Sequence, residues 1–103
     1  MKNILLVCAA GMSTSMLVRK MEQAAEEKDE EIKIKATGGG DIKKYIDDAN
    51  VLLLGPQIAY KKESYTKEFG GPEGIPVDII NMVDYGTMNG KKVLDFALEL
   101  INK

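Results

Sequence analysis

Apolar runs alternate with amphipathic stretches along the whole chain. Asn3–Val7, which is apolar after its first residue, and Val51–Leu54 are apolar runs typical of strands that are buried on both faces of a sheet. In Ile32–Ala36 apolar residues alternate with lysines, which predicts a strand with one wetter face at an edge of the sheet. Residues 77–80, after Pro76, predict a fourth strand.

The stretches between these strands predict helices. Ser13 to about Lys28 has helical periodicity, and Ser13 and Thr14 are its candidate N-caps. A short helix is expected from Asp41, as its cap, to Ala49. A polar helical stretch runs from about Lys61 to Phe69, and a last helix begins at about Asn89. The predicted buried stripes are Met16, Leu17, Met21, Ala24 and Ala25 in the first helix and Val93, Leu94, Ala97, Leu98 and Ile101 in the last.

Strands that alternate with helices predict an α/β fold with a single four-stranded parallel sheet. Crossovers are right-handed, so helices should cover both faces of the sheet. The first and third strands are the most uniformly apolar and belong in the middle, which gives the strand order 2-1-3-4. A site then forms outside the carboxyl ends of the central strands, where the order reverses. Cys8 follows the first strand and Gly55, Pro56 and Gln57 follow the third, so both fall at this point.

Composition narrows the function classes. The chain has 103 residues, and we expect one domain over 1–103. The net charge of −2 gives no basic footprint for nucleic acid. No apolar stretch approaches the roughly 18 residues of a membrane span, so direct membrane insertion is not expected. One cysteine and no histidine make a metal site unexpected, and nothing indicates a cofactor. A lone cysteine is compatible with the reducing cytoplasm, where we expect the protein to act.

The candidate chemistry lies in the segment "VCAAGMSTS", where the only cysteine precedes a loop of small residues. A loop between a strand and a helix N-terminus exposes backbone N–H groups that bind anions. The same features stabilise a thiolate, so the loop could both activate Cys8 and hold a phosphoryl group on it. The candidate phosphate-binding residues are Ala9, Ala10, Gly11, Met12, Ser13, Thr14 and Ser15.

Two alternatives stay open from the residues alone. A cysteine-dependent phosphatase would carry C-x5-R-[ST], but Thr14 stands where that motif has its arginine, and Arg19 lies further along the helix. A non-catalytic binding domain would use Cys8 as a small buried hydrophobe, as many free cysteines are used.

The chain resembles the IIB component of the lactose/cellobiose (chitobiose) class of the bacterial sugar phosphotransferase system. The resemblance rests on "VCAAGMSTS", on "VLLLGPQIAY" from Val51 to Tyr60, and on "DYGTMNGKKVL" from Asp84 to Leu94. It covers essentially the whole chain. It implies the fold of low-molecular-weight tyrosine phosphatases and a phosphocysteine intermediate at Cys8.

The same resemblance implies the partners and the route of the phosphoryl group. The donor would be a phosphohistidine on a IIA protein, and the acceptor a disaccharide of the cellobiose, chitobiose or lactose type at the membrane transporter IIC. Gly55, Pro56 and Gln57, with the Tyr85–Gly86 pair, are expected on loops beside Cys8 or, equally, as simple turn and packing residues.

A carrier that docks against two proteins needs an adaptable apolar surface beside its reactive group. Ala9, Ala10 and Met12 are expected in an exposed loop, with Met16, Ile58 and Tyr60 nearby. For Met16 and Ile58 a position in the core is favoured, and Met12 is the clearest candidate for docking.

Overall fold

A four-stranded parallel sheet forms the centre of the fold. The computed structural model describes residues 2–8, 11–71 and 74–102, and for residues 11–14 and 39 the backbone alone. The strands are β1 (Lys2–Val7), β2 (Ile32–Thr37), β3 (Val51–Leu54) and β4 (Val77–Ile79). Their order is β2-β1-β3-β4, which confirms the predicted order.

The strand positions follow from the side chains. Every residue of β3 and the last four of β1 are buried, because both strands lie inside the sheet with helices over each face. Strand β2 lies at an edge, where its lysines remain exposed, as the alternating pattern predicts.

The helices occupy both sides of the sheet. They are α1 (Gly11–Glu27), α2 (Ile42–Tyr45), α3 (Lys62–Phe69), α4 (Met82–Gly86) and α5 (Gly90–Ile101). Short 3₁₀ turns cover Gly39–Asp41, Ile46–Asp48 and Pro56–Lys61. No helix in the described ranges combines the length and the apolarity that a bilayer crossing requires.

Two apolar clusters pack against opposite faces of the sheet. One joins Ile4, Leu6 and Cys8 of the first strand and its end to α1 and α5. The other joins Leu5 and Val7 to α2 and α3. Successive side chains of a strand point to opposite faces, so one apolar strand supplies both clusters. Helices therefore cover both faces, as expected.

Several helix boundaries differ from the prediction. Helix α1 begins at Gly11, so Ser13 and Thr14 lie inside its first turn and are not N-caps. Asp41 makes no side-chain capping bond either, and its carboxylate pairs with Lys44 at 3.3 Å. The predicted helix over residues 41–49 is divided into α2 and two 3₁₀ turns.

The apolar stripe of α1 is narrower than predicted. Leu17, Met21, Ala24 and Ala25 are buried, but Met16 is 55% exposed. Met16 precedes Leu17 by one residue, which rotates it about 100° away from the buried face of a helix. In α5 the predicted stripe is confirmed, with Ile101 half-buried at its end.

Candidate functional site

The carboxyl ends of the three strands around Cys8 stop in register. Val7 of β1 pairs with Thr37 of β2 and with Leu54 of β3. The next residues continue the ladder, since the Cys8 N–H donates to the Thr37 carbonyl at 3.3 Å and the Gly55 N–H donates to the Val7 carbonyl at 2.8 Å. Cys8 therefore stands between two strand ends that are each followed by a glycine.

These two flanking glycines surround the thiol differently. Gly38 and Gly55 both have extended backbones, with φ of −83° and −63°. Among described atoms, none lies within 4 Å of the place where a Gly38 Cβ would be. A Cβ on Gly55 would instead lie 3.0 Å from the Cys8 sulfur. The thiol therefore leans toward β3, into space that a side chain at residue 55 would fill.

Gln57 reaches back over the same space. Its Oε1 atom lies 2.9 Å from the position of a Gly55 Cβ, so sulfur and carboxamide both come close to this one point. Residue 57 is exposed and belongs to the 3₁₀ turn that Pro56 opens directly after Gly55. The structure places Gly55 next to Cys8 and Gln57 over the same space, and Pro56 is half-buried at the start of the turn. A role of these residues at the site stays a prediction.

Cys8 is free and only 5% exposed, and it belongs to the apolar cluster beneath α1 and α5. It lies just before the N-terminus of α1, which directs backbone N–H groups and a partial positive charge toward this end of the sheet. This environment would stabilise a negatively charged group that approaches the sulfur from the carboxyl end of the sheet, where Gln57 also lies.

The predicted phosphate-binding loop is described in part. Ala9 and Ala10 lie outside the described residues. Gly11 to Thr14 form the first turn of α1, so Met12 belongs to a helix backbone and not to a loop as expected. Ser15 is exposed on the same helix. No group of three or more histidine, cysteine, aspartate or glutamate side chains within the described residues could hold a metal ion.

Tyr85 and Gly86 lie in a helix and not on the loop that was expected. They belong to α4, which follows β4 at the carboxyl end of the sheet. Tyr85 is buried in the same apolar cluster as Cys8, which places it on the thiol's side of the sheet. Gly86 is exposed at the end of α4, and no described atom comes within 4 Å of a Cβ placed there. Its role beside Cys8 stays a prediction.

The sequence analysis did not predict helix α4. Asn81 caps it by accepting hydrogen bonds from the N–H groups of Val83 (2.8 Å) and Asp84 (3.2 Å). Asparagine followed three residues later by an acidic residue is a start signal that could have found this helix.

Comparison with known proteins identifies the family of this chain. The model of the family described as "PTS system, Lactose/Cellobiose specific IIB subunit" matches residues 3–96. The chain belongs to this family. As a IIB component it is a phosphoryl-transfer enzyme of a sugar phosphotransferase system.

Relatives of this IIB component align over nearly its full length. The galactose-specific EIIB component of Lactococcus lactis subsp. cremoris is 45% identical over 98% of this chain and 97% of that protein. The cellobiose-specific EIIB component of Lactococcus lactis subsp. lactis is 44% identical with the same coverage. The solution structure of a cellobiose-specific IIB component from Borrelia burgdorferi is 46% identical, with a TM-score of 0.81 over 98% of this chain and 92% of that one.

More distant comparisons bear on the fold and on the partners. YwlE from Bacillus subtilis, which has the low-molecular-weight tyrosine phosphatase fold, matches 98% of the chain and 94% of its own with a TM-score of 0.51 at 14% identity. That likeness confirms the predicted fold alone. A lactose-specific EIICB component of Staphylococcus haemolyticus is 31% identical over 98% of this chain and 18% of that protein. IIB components work together with IIA and IIC components, and in this relative IIB and IIC share one chain.

Large apolar side chains are exposed on elements that follow the carboxyl ends of the strands. Met16 on α1 is 55% exposed and Tyr60, after β3, is 77% exposed. Ile58 is buried at 8%, so of these two residues after β3 only Tyr60 is available to a partner. Met82 and Val83 are also exposed, at the start of α4, and the sequence analysis missed them together with that helix.

Proposed function

We propose that Cys8 carries the phosphoryl group in this IIB component. The observation that supports this most strongly is its position: the only cysteine of a phosphoryl-transfer protein follows the central strand β1, directly in front of α1. Backbone N–H groups of residues 9–15 and the hydroxyls of Ser13, Thr14 and Ser15 then bind the dianion. A merely structural cysteine would need neither the helix terminus nor the bare glycine beside its sulfur.

The donor is a phosphohistidine of a IIA protein, as the resemblance to the IIB family implies. This chain has no histidine that could carry the phosphoryl group itself. The Cys8 sulfur attacks phosphorus in line, the P–N bond breaks as the P–S bond forms, and the thiol proton ends on the released imidazole nitrogen. A sugar hydroxyl held by IIC then attacks the same phosphorus. The P–S bond breaks, the P–O bond forms, and the hydroxyl proton restores the thiol. Catalysis in such transfers consists mainly of positioning and electrostatic stabilisation.

The near-complete burial of Cys8 fits a carrier. Cys8 as a residue is 5% exposed and offers little access to bulk water, so hydrolysis of the phosphocysteine is slow while a docked partner can still deliver its group. The absence of an arginine at Thr14 points the same way, because the charge that would favour a hydrolytic transition state is missing.

The exposed apolar residues at this end provide the docking surface for IIA and IIC. Met16, Tyr60, Met82 and Val83 follow the strand ends on elements next to the Cys8 end of the sheet. Methionine adapts its shape to more than one partner, which suits two successive encounters. Met12 belongs to the same proposed surface.

The sugar belongs to the disaccharide class of the cellobiose, chitobiose or lactose type. The relative at 44% identity is named for cellobiose and supports this class. The relative at 45% identity is named for the monosaccharide galactose, so similarity at this level does not identify the individual sugar. The exchange takes place in the cytoplasm, where reducing conditions keep the thiol free.

Incubation with a phosphorylated IIA protein, followed by mass spectrometry of the digested chain, tests the assignment. We expect one phosphoryl group, on Cys8. The Cys8→Ser variant should keep the circular dichroism spectrum of the wild type and lose sugar phosphorylation. Label on any other residue, or a serine variant that works at the wild-type rate, would refute the assignment.

A further inference from the structure

The space above Gly55 is shared by a buried sulfur and an exposed carboxamide. The Cys8 sulfur lies 3.0 Å and the Gln57 Oε1 atom 2.9 Å from the position of a Gly55 Cβ. Both groups therefore border a gap that only a glycine at residue 55 leaves open. We propose that the carboxamide of Gln57 binds the phosphoryl group carried by Cys8. The proposal rests on the proposed function of Cys8 and assigns a phosphoryl-binding residue outside the loop of residues 9–15.

The backbone holds Gln57 in place and leaves its side chain free. The Ile58 N–H donates to the Gly55 carbonyl at 3.0 Å, and the buried Ile58 side chain anchors the turn. Pro56 fixes the first φ angle of the same turn. Among the hydrogen bonds of the described residues, none involves the Gln57 side chain. Its donors are therefore available to a group that arrives on the sulfur.

The chemistry of the carboxamide fits a transferable phosphoryl group. A half-turn about the last side-chain torsion exchanges the oxygen and nitrogen of Gln57, so its NH₂ can take the position that the oxygen occupies. An N–H donor to a dianion makes a charge-assisted hydrogen bond. A neutral amide gives less stabilisation than the bidentate arginine of a phosphatase loop, so the phosphoryl group is oriented without being held too tightly for the next transfer.

The most direct test is NMR of the wild-type protein labelled with ¹⁵N, before and after phosphorylation by a IIA protein. The side-chain NH₂ signals of Gln57 should move when Cys8 is phosphorylated, because one N–H gains a charged acceptor. Those of Gln23, the chain's other glutamine and an exposed residue of α1, should stay in place. The ³¹P signal of phosphocysteine should differ between the wild type and Gln57→Ala, and should be the same in the wild type and Gln23→Ala.

Transfer kinetics separate phosphoryl binding from partner docking. Loss of one hydrogen bond to a charged group should lower the maximal rate of transfer from IIA about tenfold in Gln57→Ala. The KM for IIA should stay within about a factor of two, because on this proposal the lost contact is to the phosphoryl group. Gln57→Glu should be slower still, since a carboxylate repels the dianion. Gln23→Ala and Gln23→Glu are the matched controls and should transfer at the wild-type rate.

The outcomes distinguish this inference from the function on which it rests. If wild-type Cys8 takes up no phosphoryl group, both fall. If Cys8 is phosphorylated normally but the Gln57 NH₂ signals do not move, the function stands and this inference is overturned. An effect of Gln57→Ala on KM alone also overturns it, because Gln57 would then contact the partner protein.

Discussion

The substitution Gly55→Ala tests the geometry of the site with a single methyl group. Gly55 has φ −63° and ψ 150°, which alanine adopts freely, so the substitution introduces no backbone strain. The added Cβ would lie 3.0 Å from the Cys8 sulfur, 3.5 Å from the Cys8 Cβ and 2.9 Å from Gln57 Oε1. The exposed Gln57 side chain can swing away, whereas buried Cys8 is held by its neighbours. The clash with sulfur therefore determines the change in stability, and displacement of Gln57 adds to the effect on transfer.

The size of the effect follows from these distances. Comfortable non-bonded separations begin at about 3.5 Å, so the sulfur must move by roughly 0.5 Å or more. Overpacking of this kind costs about 1–3 kcal/mol, and the lower chain entropy of unfolded alanine returns about 0.5 kcal/mol. We expect the free energy of unfolding to fall by about 1–2 kcal/mol. A misplacement of about 1 Å at a reacting group can cost about a hundredfold in rate, so we expect transfer to Cys8 to slow by ten- to a hundredfold.

Gly38→Ala is the matched control on the other side of the thiol. Gly38 is also extended and follows the neighbouring strand in register with Cys8, yet its Cβ would meet no described atom within 4 Å. Urea unfolding and the rate of phosphorylation by IIA should be measured on both variants. Gly38→Ala should match or slightly exceed the wild type in stability. If Gly55→Ala is as stable as Gly38→Ala and accepts the phosphoryl group equally fast, the thiol does not lie against residue 55.

Three further predictions concern packing, helix termination and side reactions. Gly90→Ala should lower the free energy of unfolding in urea by about 3 kcal/mol, because the new Cβ would lie 2.6 Å from the Lys20 carbonyl oxygen of α1. Gly86→Ala is the control and should leave that free energy unchanged, since no described atom lies within 4 Å of its Cβ; equal effects of the two substitutions would contradict this. Asp29, which follows α1, has a left-handed backbone with φ +55°, and glycine adopts this conformation more easily than other residues. In thermal melting, Asp29→Gly should therefore raise the free energy of unfolding by about 0.5–1 kcal/mol and Asp29→Ala should not; a gain in both variants would exclude the left-handed backbone as the cause. Hydrolysis of aryl phosphates should stay near background, and turnover of about 1 per second or more would favour a phosphatase.

The strands and their order could be predicted because burial determines their composition. Val51–Leu54 lies between two strands with helices over both faces, so every one of its positions must be apolar. Strand β2 lies at an edge of the sheet and has one face that is partly exposed to solvent. Its alternating lysines indicate both features. These patterns fix the order of the sheet, and the order brings Cys8 and Gly55 together at its carboxyl edge.

Short helical segments could not be predicted in the same way. Helix α4 has five residues, too few to show a 3.6-residue period, and its exposed Met82 and Val83 imitate a continuation of β4. In the turn after Gly55, Pro56 is the only strong local signal, and it is compatible with a loop as well as with a 3₁₀ turn. Apart from the cap signal at Asn81, local composition does not separate a helix from a loop in these two segments. The tertiary contacts of Ile58 and Tyr85 therefore determine the local structure.

The role of residue 57 depends on information that no local pattern carries. A glutamine after a Gly-Pro pair is typical of any polar turn. It becomes a candidate ligand only because β1 and β3 end in register, which sets Gly55 beside Cys8 and leaves a gap without a side chain that sulfur and carboxamide both border. The glycine thus acts through its missing Cβ, at a backbone angle that alanine could also adopt. This distinction makes Gly55→Ala informative: because the backbone is not strained, a loss of phosphoryl transfer reports the filling of the space that the thiol and the Gln57 carboxamide both border.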